Sequence, residues 1–228
     1  MCARFEFTLS PADAAEELNV IVPKDAHWAP EFRPFGKPPV IVEENGAKVL
    51  KLMQFSLIPP WSTEKKVKFS TYNARLTEFD EKKNKIVCIY EKPTWRTSFL
   101  AKHCLVPITG FMEPIYKGEF AGHWVRFAES HQKVLFAAGI WGEWHSKQGG
   151  EIIESFAIIT DDPIPFVKKI GHSRSPLFLA PEAFDEWLSP QKQSPEDLVT
   201  LLSKNKVIPD LMAFQQEAMK PGWEKRVH

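Results

Sequence analysis

The chain has 228 residues, 43% hydrophobic and 25% charged, and its 29 basic and 29 acidic side chains leave a formal net charge of zero. Such a length suits one large globular domain, and neutrality excludes a globally cationic nucleic-acid surface while permitting a local basic groove. Cysteines at positions 2, 88 and 104 form no C-x-x-C pair, and no run of about 18 apolar residues or basic-then-apolar leader occurs, so no disulfide framework, metal, cofactor or membrane association is expected and the expected location is cytoplasmic.

Taken in order, Phe5 to Thr8 reads as a strand, and Ser10-Pro11-Ala12-Asp13 starts a helix with a cap, a first-turn proline and an acid three residues after the cap. The segment from Pro30 to Pro39 reads as an extended surface loop. Residues 47–55, 104–107, 122–128, 134–141 and 152–159 have the apolar, β-branched and aromatic content of strands. Helical signals follow at 162–170, from Pro181 to Leu188 and after Ser194-Pro195. Strands that alternate poorly with helices favour an α+β domain with a curved, mostly antiparallel sheet and flanking helices over a doubly wound parallel sheet. The whole chain, 1–228, is read as a single domain, with the tail after Lys204 expected to pack loosely or to move. Phe79 and Trp95 are expected in the core, and the Lys-rich stretches Glu64 to Lys68 and Glu81 to Lys85 as solvated faces.

The start Met1-Cys2-Ala3-Arg4-Phe5 carries distinctive chemistry. Removal of Met1 leaves Cys2 with a free α-amine beside its thiol. This 1,2-aminothiol condenses with an aldehyde to an imine and closes to a thiazolidine, or its thiol attacks an acyl group alone. Both uses need thiolate character, and hence basic neighbours or a helix N-terminus.

Three further clusters accompany it: Thr71-Tyr72-Asn73-Ala74-Arg75; His103-Cys104-Leu105-Val106-Pro107 followed by Gly110-Phe111-Met112-Glu113; and Ile170-Gly171-His172-Ser173-Arg174-Ser175-Pro176. With the Met1-Cys2 start and the strand Phe136-Ala137-Ala138-Gly139-Ile140-Trp141, they stand in the order expected of one family. The chain resembles the SOS-response-associated peptidase family, the abasic-site DNA–protein crosslinking proteins, from residue 1 to about Leu188, with residues 189–228 left as a C-terminal helix and tail. The resemblance implies a barrel-like α+β fold with a basic cleft for single-stranded DNA, and a Cys2 that captures the ring-opened aldehyde of an abasic site. It also implies autocatalytic removal of whatever precedes Cys2. The implied partner is single-stranded DNA containing abasic sites, in the cytoplasm and at the nucleoid of a bacterium, with a monomer as the default state.

Within that resemblance the catalytic set is Cys2, Asn73, Glu113 and His172. Opening the sugar, dehydrating a carbinolamine and closing a ring need proton donors and acceptors. Glu113 has apolar neighbours of the kind that raise a carboxyl's affinity for protons, and His titrates near working pH. Asn73 offers amide donors and an acceptor to orient Cys2 or the lesion. Arg4, Arg75 and Arg174 are the phosphate candidates, Thr160 adds a hydroxyl despite Asp161-Asp162 beside it, and Trp61 stacks on a base.

The chain departs from the family pattern at Ala3, where glycine normally follows Cys2, at Phe55-Ser56 for Trp-Gly, at Thr77 for the common glutamate after Asn-Ala-Arg, and at Pro114 for Trp. Two other classes fit a Cys2 start: an N-terminal-cysteine amidotransferase or hydrolase, and a noncovalent single-stranded DNA binder of the same fold. Glutaminase turnover without DNA marks the first, and DNA binding indifferent to Cys2→Ala marks the second.

Overall fold

The computed structural model describes residues 3–147, 149–189 and 193–226. Strand β1 (Arg4–Glu6) turns Phe5 into the core, and helix α1 (Pro11–Glu17) begins on the Ser10 cap, whose hydroxyl accepts from the Asp13 amide. A short β2 (Glu31–Phe32) interrupts the expected Pro30 to Pro39 loop. Then β3 (Pro39–Glu44) and β4 (Ala47–Leu52) form a hairpin across Asn45-Gly46, both at positive φ. β5 (Gln54–Phe55) and β6 (Asn73–Arg75) bracket a long loop, and β7 (Thr77–Asp80) pairs with β8 (Lys85–Cys88). Helix α2 (Arg96–Ala101) leads to β9 (His103–Ile108), β10 (Gly110–Pro114) and β11 (His123–Glu129). The long strands β12 (Leu135–His145) and β13 (Ile152–Asp161) precede α3 (Pro165–Ile170), β14 (Ser175–Pro176), α4 (Phe184–Leu188), α5 (Pro195–Lys204) and β15 (Leu211–Ala218).

One sheet runs β15-β11-β10-β1-β2, and the other runs β14-β13-β12-β9-β3-β4 with β5 and β6 added to β13. Pairing is antiparallel except for β5 and β6, which run parallel to β13. The result is the expected mixed, mostly antiparallel fold, although among the described residues the sheets curl without closing into a barrel. Aromatic side chains join the sheets: Phe5 meets Phe55 edge-on at 5.3 Å between centroids, and Phe55 stacks on Phe156 at 5.2 Å. All three are fully buried, and truncating such a side chain to alanine costs about 3–5 kcal/mol.

Two expectations are corrected. Trp95 is buried, but Phe79 is 59% exposed and faces Ile86, 65% exposed, across the β7–β8 ribbon. That ribbon is a separate two-stranded sheet: one face buries Val87, and the face carrying Phe79 and Ile86 has no layer over it. The tail is not loose: Leu211 to Ala218 pairs along β11 as the edge strand of the first sheet.

Candidate functional site

The described residues begin at Ala3, so Cys2 lies outside them. Of the other candidates, Asn73, Arg75, Glu113, Thr160, His172 and Arg174 come from four separated segments that meet around the end of β13, whereas Arg4 and Trp61 lie on other segments. In β6, Asn73 pairs with Ile158 and Arg75 with Thr160; on the other side of β13, Thr160 pairs with Pro176 of β14. This register sets the Asn73-Ala74-Arg75 motif and the His172 to Pro176 motif on either side of one strand. Gly171, at φ 111, ends α3 in the left-handed conformation and turns the chain into His172. A Cβ there would meet the Lys117 carbonyl oxygen at 2.3 Å, which explains why this position takes glycine.

Glu113 reaches the same place from β10. Its carboxyl is fully buried, and Oε2 lies 3.5 Å from Nε2 of His172. His172 Nδ1 is 2.8 Å from the Arg174 carbonyl oxygen. Because a carbonyl only accepts, this contact assigns a proton to Nδ1 and leaves Nε2 as the nitrogen that gains or loses the second proton, facing Glu113. Burial pulls His172 below its ordinary pKa, and Glu113 works in the opposite direction. The arrangement sets an imidazole nitrogen beside a buried carboxyl, the two side-chain types most used for general acid–base chemistry.

Positive charge borders the pair. Burial, and then the charge of Arg75, pull the Arg174 guanidinium below its ordinary pKa, with Glu78 and Glu113 opposing. Two mutually repelling guanidinium groups are poised to gain from an anion between them. Arg75 makes only a 3.7 Å contact with the exposed Asp162, and its buried Nε, like Thr160 Oγ1, has no hydrogen-bond partner among the described residues. Asp161 is neutralised by Lys206 at 2.8 Å, which removes half of the anticipated acidic opposition.

Arg4 differs from the other arginines. It is buried, its guanidinium takes both oxygens of Glu31 at 3.2 and 3.1 Å, and it also pairs with Glu217. Trp61 is 53% exposed on the loop between β5 and β6. Its indole Nε1 donates to the Pro93 carbonyl at 3.3 Å, and its ring stacks on Phe69 at 6.4 Å. Phe69 was not anticipated, although an exposed phenylalanine following Lys65, Lys66 and Lys68 carried the signal. The loop is anchored by Trp144 Nε1 donating to the Ser62 carbonyl at 2.9 Å.

No metal-binding cluster of His, Cys, Asp or Glu occurs among the described residues, and none of their helices is long and apolar enough to cross a membrane. A cavity of about 660 Å³ opens elsewhere, beside Ile21, Lys48 and Asp185. Its polar walls are already paired, Lys48 with Asp185 at 2.7 Å and Ser189 with Glu43 at 3.1 Å, so it competes poorly as a reactive site.

Comparison with known proteins bears on the family and the fold. The family model for SOS response associated peptidase (SRAP) matches residues 1–216. Abasic site processing protein YoaM of Bacillus subtilis is 29% identical over 217 residues, 89% of this chain and 85% of its own, and YoqW of the same organism is 25% identical over 96% and 93%. The abasic site processing protein HMCES of Xenopus tropicalis is 24% identical over 89% of this chain and 70% of its own. Solved structures from Bordetella bronchiseptica and Bacteroides thetaiotaomicron share the fold, with TM-scores of 0.72 and 0.73 at 18% and 22% identity. Each covers 95% of this chain, and they are themselves covered over 100% and 92%. With the family model spanning nearly the whole sequence and the fold recurring in these structures, this chain belongs to the SOS response associated peptidase (SRAP) family.

Proposed function

We propose that the protein processes abasic sites in single-stranded DNA by covalent capture through Cys2, exposed once Met1 is removed, and that the same residue serves N-terminal self-processing. The observation that carries this reading is the buried Glu113 carboxyl 3.5 Å from the titratable nitrogen of His172, bordered by Arg75 and Arg174. It sets a carboxyl and an imidazole, the usual acid–base partners, beside a rim of positive charge.

The steps balance without an oxidant or metal. The Cys2 amine adds to the C1′ aldehyde, and the resulting carbinolamine loses water to give an imine. The thiolate then adds to the imine carbon as the nitrogen takes a proton, so capture releases one water. Glu113 and His172 deliver and recover the protons for sugar opening, dehydration and closure, and Asn73 orients the reacting groups. Arg75 and Arg174 hold phosphates flanking the lesion, with Thr160 beside them, and Trp61 with Phe69 offers a neighbouring base an aromatic surface. A monomer acting on DNA in the cytoplasm, at a bacterial nucleoid, satisfies this scheme.

The test is a denaturing gel of N-terminally processed protein with single-stranded DNA carrying one abasic site, beside intact DNA and Cys2→Ala. A shifted band that requires the lesion and vanishes in Cys2→Ala is the expected result. No band from protein whose Met1 removal is verified by mass, or an undiminished band from Cys2→Ala, refutes the reading.

A further inference from the structure

Arg4 lies two residues after the proposed nucleophile and pairs in register with Met112, the residue preceding Glu113. Two residues of chain span at most about 7 Å, so whatever fixes Arg4 limits where the reactive N-terminus can go. Strand alternation sends Phe5 into the core and Arg4 to the opposite face. There the guanidinium is gripped from both edges of the five-stranded sheet: Glu31 comes from β2 and Glu217 from β15, at opposite ends of the strand order. The guanidinium carbon also lies 5.1 Å from the Trp124 ring centroid on β11.

The next outward side chain of β1 repeats the device. Glu6 accepts from Arg126 of β11 at 2.7 Å, and Arg126 in turn lies 5.8 Å from the Phe214 ring of β15. Between these groups stands Gly110, where a Cβ would meet Glu6 Oε2 at 2.8 Å and Arg126 Nη2 at 2.9 Å. The glycine that opens the β10 motif therefore leaves room for this second tie.

We infer that Arg4 is a positioning residue rather than a phosphate ligand, and that Glu31 and Glu217 act through it to fix strand β1, the strand that follows Cys2 in sequence, in register beside β10 and Glu113. Glu217 falls one residue beyond the 1–216 family match, so the tie is read from this chain's own geometry. The inference rests on the capture reading, because the step it serves is the alignment of the Cys2 amine and thiol with the aldehyde.

The experiment compares wild type with Glu217→Gln, Glu31→Gln and Arg4→Lys in single-turnover capture of abasic single-stranded DNA. It measures the maximal rate and the half-saturating DNA concentration well below each melting temperature. Noncovalent affinity is measured against a tetrahydrofuran site, which lacks the aldehyde, across a salt series. Glu217 is half-exposed, so Glu217→Gln leaves the core intact. The expected result is a maximal rate about five- to tenfold lower in both Gln variants, with half-saturation and salt slope unchanged. A role confined to stability lowers the melting temperature without moving that rate and overturns the inference. So does tighter DNA binding by Glu217→Gln, or a salt slope reduced by about 0.7 in a charge-removing Arg4→Gln variant run beside Arg4→Lys, either of which marks Arg4 as a phosphate ligand. No capture by processed wild type overturns the function itself, whereas normal wild-type capture with unaffected variants overturns only the tie.

Discussion

Replacing Arg174 by Gln tests whether the basic rim is built for phosphate rather than for stability. In the free protein Arg174 is half-buried, and both its burial and the neighbouring charge of Arg75 disfavour its charged form. Removing that charge should leave the melting temperature unchanged or slightly raised, since a desolvated, like-charged neighbour disappears. DNA binding should respond in the opposite sense. A charge-assisted hydrogen bond contributes about 1.5–3 kcal/mol, which is a loss of at least tenfold in affinity. One phosphate contact on single-stranded DNA contributes about 0.7 to the slope of log affinity against log salt. Raising salt fourfold, from about 50 to 200 mM, should therefore shrink the wild-type advantage about 2.6-fold. Fluorescence anisotropy with a tetrahydrofuran-site oligonucleotide keeps chemistry out of the measurement. An unchanged slope, or a melting temperature lowered by many degrees, would refute the phosphate assignment.

Glu113→Gln should lower the saturated capture rate by about 10²–10⁴-fold in single-turnover gels while changing affinity little, and equal losses in both would contradict proton transfer. Trp61→Ala should cost about 1–3 kcal/mol of noncovalent affinity by anisotropy without altering the melting curve, because the ring is half-exposed; an unchanged affinity removes it from the DNA path. Ser56 sits at φ 143, a conformation suited to glycine, so Ser56→Gly should raise stability by about 1 kcal/mol, or roughly 2–4 °C, in a thermal melt; a lower melting temperature would refute strain at this position. His103 is pulled down to about 4 by burial, against the opposing effect of the Phe99 and Trp187 carbonyls. The unfolded chain therefore binds this proton up to about pH 6.5 while the folded one does not, so stability should fall as pH drops from about 6.5 to 4, by up to about 3 kcal/mol. Urea titrations of wild type and His103→Gln measure it, and identical pH profiles would refute it.

The candidate site was more legible in the sequence than the architecture around it. Asn73, Glu113 and His172 stand in short clusters whose residue types already suggest proton and hydrogen-bond chemistry, and the structure gathers those clusters around β13. What the sequence does not carry is the partner on each face. Phe79 and Ile86 look like strand interior because alternation records which residues share a face, not whether anything covers it. The strand Leu211–Ala218 was hidden because an edge strand with a weakly apolar outer face reads like a polar tail. The partners of Arg4 were hidden for a similar reason: Glu31 and Glu217 lie 27 and 213 residues away, beyond any local pattern. The Trp-Gly departure at Phe55-Ser56 is different, since the substitution was visible and the backbone kept the geometry that glycine serves.

The order in which the strands pair bears on how the protein comes into being. β1 finds β10, about a hundred residues on, and β11 waits for β15 near the end of the chain. Pairings this distant in sequence make for slow, high-contact-order folding, with closure paid in loop entropy before contacts return it. During synthesis the N-terminal segment leaves the ribosome long before its neighbours exist. On the proposed capture chemistry, reactivity that depends on Glu113 and His172 would switch on only with the last stages of folding, so an unfinished chain would carry the reagent without the machinery that uses it.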